Sequence, residues 1–452
     1  MSETTITNRA YFSGLLQGVA ERGRAWVGFR RTEPMGVEAL LSLSRKLLKG
    51  QGEASGAATA RAILDGYAAL GGTDRRAWLG AIAAELGPDM EALREAARAF
   101  LDAPDAATAA DLGARAEPIR QELIRRLNHA PGGTLALVRM REDILDATRE
   151  GAPLAALDRD FRHLFASWFN RGFLVLRRID WSTPANILEK IIRYEAVHEI
   201  GGWEDLRRRL EPPDRRLYAF FHPALGDEPL IFVEVALTLA IPEAIQPLLA
   251  PDRVPLAPAS ATTAVFYSIS NAQRGLAGVS FGNFLIKQVV EDLRREWPAL
   301  KSFVTLSPAP GFAAWLTRER ADEGSKSLPP EARRALALTD HANWHEKAGA
   351  LEAVERALAP VAARYFLREK APSGGALDPV ARFHLGNGAR LERINPRGDL
   401  SPTGRRQSLG LMVNYLYDLA HIEENHEAYV NRGVVAASSA VRKLAPSAPA
   451  KP

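Results

Sequence analysis

Apolar positions recur at three- and four-residue spacing over the first third of the chain, and in alternating or short continuous runs after it. From Gly36 to Glu150, Ala, Leu, Arg and Glu dominate. Steps of four such as Trp78, Ile82 and Leu86 place apolar side chains on one helical face. Gly71-Gly72, Pro88 and Pro131-Gly132-Gly133 punctuate this region, and Asp74 and Asp89 stand where helix N-caps are wanted. The pattern predicts a bundle of six to nine helices, with no fixed period that would indicate a solenoid.

The character changes after about residue 166. Leu217–Phe221, a turn through Pro223 to Asp227, and Pro229–Thr238 read as two strands of a hairpin. Thr263–Ser270 is a third strand. Phe281, Leu285, Val289 and Leu293 form the stripe of a helix that ends near Glu296, with Ser280 placed to cap it and Pro298 just past it. Lys301–Ser307 is a further strand. Residues 313–370 read as helical and Ala371–Leu377 as a loop. The segment Arg382–Leu419 mixes a short helix or strand, a polar loop and a helix containing Gly410–Tyr415.

Composition narrows the chemistry. The chain has 452 residues, 46% of them apolar and 25% charged, which fits a soluble globular protein of two or three domains. With no cysteine, disulfides, thiolate metal sites, iron–sulfur clusters and a catalytic thiol are excluded. Lys and Arg total 58 against 54 Asp and Glu, so the chain lacks the charge excess of a non-specific nucleic-acid binder. No apolar run approaches the ~18 residues of a membrane span. The start is not a secretory signal and the end carries no peroxisomal address, so the cytoplasm is the expected location.

Between the third strand and the following helix lies Gln273-Arg-Gly-Leu-Ala-Gly-Val-Ser-Phe-Gly-Asn283. Gly275, Gly278 and Gly282 would let backbone N–H groups approach an anion, the helix start adds free donors, and Arg274 adds charge. This suits a pyrophosphate. It is neither GxGxxG nor GxxxxGK[ST], so dinucleotide and Walker readings have no support. The strand-loop-helix unit looks like the acyl-CoA site of the GNAT acyltransferase superfamily.

Four ordered blocks then resemble malonyl-CoA decarboxylase. They are Phe220-Phe-His-Pro223 with Glu228–Thr238; Phe266–Ser270 with Gln273–Val279; Leu306-Ser-Pro-Ala-Pro-Gly-Phe312; and His384-Leu-Gly-Asn-Gly-Ala389 with Arg393-Ile-Asn395 and Gly410–Tyr415. The resemblance runs from about 166 to 440. It implies an α+β protein, with an N-terminal all-α helical bundle for oligomerisation (1–165) followed by a GNAT-like acyl-CoA-binding α/β catalytic domain (166–452). It implies decarboxylation of malonyl-CoA to acetyl-CoA in a homo-oligomer, a tetramer or dimer of dimers. It makes Ser307 and His384 the catalytic pair and puts CoA contacts on Arg274, Gly275, Ala277, Gly278, Val279, Ser280, Phe281, Gly282 and Asn283. Animal members of the family carry a glutamate where this chain has Ser280, so a role for that carboxylate does not transfer.

The chemistry agrees with that reading. Loss of carbon dioxide from a malonyl thioester leaves an enolate, and the thioester carbonyl is itself the electron sink, so no cofactor or metal is expected. A histidine suits protonation of the carbanion carbon. Ser307 would then hold the malonyl carboxylate or relay a proton with His384. The rival readings are a GNAT-type N-acyltransferase and a non-catalytic acyl-CoA-binding protein. Elsewhere, His341 with His345 and the Arg207–Arg209 run read as solvated helix faces, and His222 as structural. Tyr267, Ser268 and Ser270 read as packing, with a role near the acyl group as the alternative. Trp168, Phe169 and Trp181 read as interface core.

Overall fold

The computed structural model describes residues 35–50, 52–279, 285–325, 327–372 and 374–445. Its N-terminal part holds eight helices among the described residues: α1 (Val37–Lys49), α2 (Glu53–Ala69), α3 (Gly72–Glu85), α4 (Met90–Asp102), α5 (Ala106–Ala116), α6 (Ile119–Asn128), α7 (Gly133–Arg149) and α8 (Ala155–Trp168). Trp78, Ile82 and Leu86 share the buried face that their spacing predicts. Asp89 caps α4 by accepting from the N–H groups of Glu91 and Ala92 at 3.0 and 3.1 Å. Asp74 is not a cap; Gly71 is the N-cap of α3, and Asp74 sits in its first turn, where a negative charge complements the helix dipole.

The rest of the chain builds one mixed sheet in the order β1-β2-β3-β4-β5-β8-β6, with β7 paired on β8. The strands are β1 (Val175–Ile179), β2 (Arg215–Phe221), β3 (Pro229–Thr238), β4 (Thr263–Asn271), β5 (Ser302–Thr305), β6 (Ser307–Pro308), β7 (Arg390–Asn395) and β8 (Met412–Leu416). Helices α9 (Ala185–Tyr194) and α10 (Trp203–Leu210) precede β2, and α11 (Leu285–Glu296) joins β4 to β5. After β6 come α12 (Phe312–Ala321), α13 (Ala348–Arg368), α14 (Pro379–Gly386), α15 (Pro402–Ser408) and α16 (Ile422–Arg432), among shorter turns. The class is α+β. An antiparallel β3/β4 pair stands beside a parallel β4/β5 pair, and the glycine loop and α11 lie between β4 and β5 in the chain. The predicted start of the β4–β5 helix at Phe281 and its Ser280 cap lie outside the described residues.

By internal packing the chain forms two compact units. One holds the described residues up to Val175 together with Phe221–Glu228 and the loop from Gln273. The other holds Leu176–Phe220, Pro229–Ala272 and the described residues after that loop.

Three expectations are corrected. Met412–Tyr415 is a strand, not part of a helix: Leu409 and Gly410 take φ values of 57° and 88°, which end α15, and the following Met-Val-Asn-Tyr enters the sheet. Arg209 does not belong to a solvated face. It is buried, donates to the carbonyls of His198 and Glu199 at 2.8 and 2.9 Å, and faces Glu234 at 3.3 Å. Trp181 is exposed rather than core. It meets Trp203 edge-on at 6.2 Å, with the Arg207 guanidinium 4.7 Å from its ring centroid. Phe169 is fully buried, and His222 is structural, its Nε2 lying 3.1 Å from the Trp168 carbonyl and its Nδ1 accepting from the Ala224 N–H.

Candidate active site

Two strand ends and one helix end converge on Ser307. β4 and β5 run parallel from Thr263/Ser302 to Phe266/Thr305. Beyond that level the chain leaves β4: Ser307 pairs instead with Val413 of β8, while β4 continues to Asn271 paired with β3. The sheet therefore opens between the end of β4 and Ser307.

Ser307 and Thr305 lie two residues apart, so strand periodicity puts both side chains on one face. The Ser307 hydroxyl donates to Thr305 Oγ1 at 2.9 Å. Its oxygen also lies 3.0 Å from His384 Nε2. His384 occupies the last turn of α14, and its Nδ1 is 2.8 Å from the Tyr417 hydroxyl. Tyr415, again two residues before Tyr417 on an extended segment, stacks on the imidazole at 4.7 Å between centroids and 25° between planes. The pair called from sequence is thus brought into one buried chain of hydrogen bonds. Ser307 is 5% exposed and His384 2%.

Burial governs the electrostatics. Desolvation pushes the His384 imidazolium down to about 3, so the ring is neutral at physiological pH. The same cause holds the Tyr415 and Tyr417 phenols well above their ordinary range, mainly in their neutral, hydrogen-bearing form. The site is held by Asp378, the N-cap of α14. One carboxylate oxygen accepts from the N–H groups of Val380 and Ala381 at 2.9 and 3.0 Å. The other accepts from the Gly311 N–H at 3.1 Å. A single side chain therefore ties the helix bearing His384 to the loop that follows Ser307.

The glycine loop behaves differently from its sequence reading. Gly275 is buried because it packs: a Cβ there would stand 2.0 Å from the Val138 carbonyl oxygen of α7. Its own carbonyl accepts from Arg141 Nη1 at 2.7 Å. Gly275 thus serves close approach of two backbones. Arg274 makes a two-pronged ion pair with Asp146 at 2.8 and 2.6 Å, and this pair raises its pKa. Gly278 does need a glycine conformation, with φ of 74°, and its carbonyl accepts from exposed Arg162 at 3.4 Å. Ala277 is exposed, and Val279 is buried, its N–H bonded to the Leu276 carbonyl at 3.0 Å. Ser280, Phe281, Gly282 and Asn283 lie outside the described residues.

Ser268 and Ser270 are committed elsewhere. Both hydroxyls donate to Glu195, at 2.8 and 3.1 Å, and Tyr267 packs in the core with Val304, Leu306 and Met412. Among the described residues no group of three or more His, Asp or Glu could hold a metal ion. Thr305, Tyr415, Tyr417 and Asp378 join the site only in the folded protein and are not singled out by the sequence motifs. The signal for the first three is the two-residue step from Ser307 and within Tyr415–Tyr417, legible once those segments are read as strands.

Two family models match the chain. Residues 86–169 match the model of the malonyl-CoA decarboxylase N-terminal domain, and residues 172–451 that of the C-terminal domain. The chain is 38% identical over 349 residues to a mitochondrial malonyl-CoA decarboxylase of Anser anser anser, covering 72% of this chain and 69% of that protein. The Mus musculus counterpart is 35% identical over 351 residues, covering 72% and 71%. The crystal structure of malonyl-CoA decarboxylase from Rhodopseudomonas palustris is 60% identical, with a TM-score of 0.88 over 91% of this chain and 100% of that one. That from Agrobacterium vitis is 56% identical, with a TM-score of 0.85 over 90% and 100%.

Proposed function

The chain belongs to the malonyl-CoA decarboxylase family, and on that premise we propose that it converts malonyl-CoA to acetyl-CoA and carbon dioxide, without a further cofactor, through Ser307 and His384. The observation that carries the reading is the buried Ser307–His384 contact of 3.0 Å with Tyr417 on the far ring nitrogen.

The substrate brings a carboxylate toward a neutral, desolvated imidazole. An opposite charge nearby favours the protonated ring, so substrate binding raises the His384 pKa and draws in one proton from solvent. The C–C bond to the carboxylate breaks, and its electron pair passes into the thioester carbonyl as an enolate. The enolate carbon takes the Ser307 hydroxyl proton while the imidazolium Nε2–H replaces it on Ser307. One proton enters, carbon dioxide leaves, and the histidine returns to neutral with its proton on Nδ1, from which a tautomer shift restores the resting form. Water exclusion by the buried site strengthens each of these interactions. The loop Arg274 to Asn283 is assigned to the CoA portion. Its described part is rigidly seated by Asp146 and Arg141, and an exposed Arg162 stands beside Gly278.

A homo-oligomer, tetramer or dimer of dimers, fits the helical unit. The α4–α5 hairpin buries only Ala96 of α4 and nothing of α5, and leaves Met90 and Leu101 59% and 77% exposed. An amphipathic helix pair so little buried gains its stability from a further packing partner. No helix among the described residues is long and apolar enough to cross a membrane, and we place the reaction in the cytoplasm. The test of the activity is direct. Purified protein with malonyl-CoA and a metal chelator should release carbon dioxide and acetyl-CoA. Turnover only after adding an amine would replace this reading with acyl transfer, and CoA binding without turnover would replace it with a carrier.

A further inference from the structure

The direction of the hydrogen bonds around Ser307 decides which way its proton can travel. Ser307 has one hydroxyl proton and two polar neighbours, Thr305 Oγ1 at 2.9 Å and His384 Nε2 at 3.0 Å. Thr305 Oγ1 accepts both the Ser307 hydroxyl and the Tyr415 backbone N–H, the latter at 3.2 Å, which fills its two lone pairs. Its strand is pinned from the other side, because the Thr305 carbonyl accepts from Asn414 Nδ2 at 2.8 Å. Asn414 is itself fully used: its Oδ1 takes Arg393 Nε at 3.1 Å and Asn395 Nδ2 at 2.8 Å. Thr305 and Asn414 are both 0% exposed, so no water competes for these groups.

We infer that Thr305 is a positioning residue that parks the Ser307 proton and thereby sets the direction of the relay. With the Ser307 proton on Thr305, the Ser307 oxygen is left as an acceptor for His384. His384 must then carry its proton on Nε2, and its Nδ1 accepts from the Tyr417 hydroxyl. The chain reads Tyr417 to His384 to Ser307 to Thr305, with the Tyr417 hydroxyl, His384 Nε2 and the Ser307 hydroxyl each donating forward. This arrangement does not activate Ser307 as a nucleophile, because the imidazole is not receiving its proton. It prepares Ser307 to give its proton to a carbanion and to be refilled from Nε2. The assignment deepens the decarboxylase reading and rests on it for its role in turnover, but the hydrogen-bond direction itself stands in the free protein.

The experiment uses the full-length protein labelled with 15N-histidine, whose ring shifts distinguish the two neutral tautomers, with His384 assigned by its loss in His384→Asn. The resting wild type should show His384 in the Nε2–H form. Thr305→Val removes the parking acceptor, so the Ser307 proton turns to Nε2 and His384 should switch to the Nδ1–H form. In the same variant kcat for malonyl-CoA should fall roughly 10- to 100-fold, the scale of a misplaced reacting group, with KM within about twofold. Thr305→Ser keeps the acceptor and should restore both the tautomer and kcat to within about threefold of wild type. A wild-type Nδ1–H form overturns the inference without any variant, and so does a Thr305→Val protein that keeps the wild-type tautomer. Should Thr305→Val fail to fold, the wild type and Thr305→Ser still decide it, because the inference requires Nε2–H in both. Wild-type protein that shows the expected tautomer yet leaves malonyl-CoA intact would sink the decarboxylase reading while leaving the hydrogen-bond direction in place.

Discussion

Asp378 accepts the Gly311 N–H at 3.1 Å while capping the helix whose last turn carries His384. That one carboxylate sets the spacing between the loop after Ser307 and α14. Its pKa is raised by burial and held back by the three backbone donors that face it. Asp378→Ala removes a cap and leaves the Gly311 N–H unpaired in a half-buried place. A loss of about 1–3 kcal/mol in urea unfolding is expected. Activity should fall further than stability alone explains, because the Ser307–His384 distance is no longer fixed. Asp378→Asn keeps one acceptor oxygen and should lie between the two. Equal activity in all three proteins would refute the positioning role.

The free enzyme should show no histidine ionisation in its activity profile. The pH dependence of kcat/KM reports groups in the free enzyme. His384 is neutral there down to about pH 3 and the bound state takes up one proton, so log kcat/KM should fall by about one per pH unit from about pH 5.5 to 7.5, in a straight line where an ordinary histidine would produce a bend. A bend near 6.5 that vanishes in a folded His384→Gln protein with residual activity would contradict the burial argument.

The same burial makes folding sensitive to acid. Unfolded His384 binds a proton below its ordinary 6.5, whereas the folded protein holds it neutral to about 3. Between those values the unfolded chain carries more protons, so stability falls as pH is lowered. The slope from this one group is at most about 1.4 kcal/mol per pH unit. His384→Gln should flatten the dependence of unfolding free energy on pH between about 6 and 4.

Glu234 works in the opposite sense. It lies 1% exposed beside Arg209 at 3.3 Å, and desolvation, opposed by Arg209 and reinforced by Glu195, pushes it up to about 8. Between the ordinary 4.5 and that value the unfolded chain has released this proton and the folded chain has kept it. Raising the pH therefore favours the unfolded chain across this window. Urea titrations at pH 5, 6.5 and 8 should show wild type losing stability relative to Glu234→Gln as pH rises. A constant difference between the two proteins would exclude the buried neutral acid.

The two loop glycines should respond differently to alanine. At Gly275 a Cβ would meet the Val138 carbonyl oxygen at 2.0 Å, so the loop must leave α7. Gly275→Ala should cost about 1–3 kcal/mol or more of stability and raise KM for malonyl-CoA. At Gly278 there is room, with the nearest Arg162 atoms at 3.5 Å, but φ is 74°. Gly278→Ala should cost only about 1–2 kcal/mol, from backbone strain alone. Thermal unfolding and steady-state kinetics on both variants check the order.

The helical periodicity of the first part and the strands β2 to β5 are legible in the sequence alone, and its motif blocks, through the resemblance they carry, single out Ser307 and His384 as candidates. Those follow from local signals: apolar spacing, turn residues and motif blocks that act over a few residues. It misread Met412–Tyr415 as helix because a short apolar run has no period that separates strand from helix. The decision came from Leu409 and Gly410 turning the chain into a slot between β5 and β6. It misread Arg209 because a charge run looks solvated until a buried Glu234 from a distant strand faces one of its members. It could not show the carbonyl of α7 that leaves no room for a side chain at Gly275. Above all, the roles of Thr305, Tyr415, Tyr417 and Asp378 depend on contacts between residues far apart in the chain. Hydrogen-bond direction, burial and the neutral state of His384 are properties of that assembled neighbourhood, and no local pattern carries them.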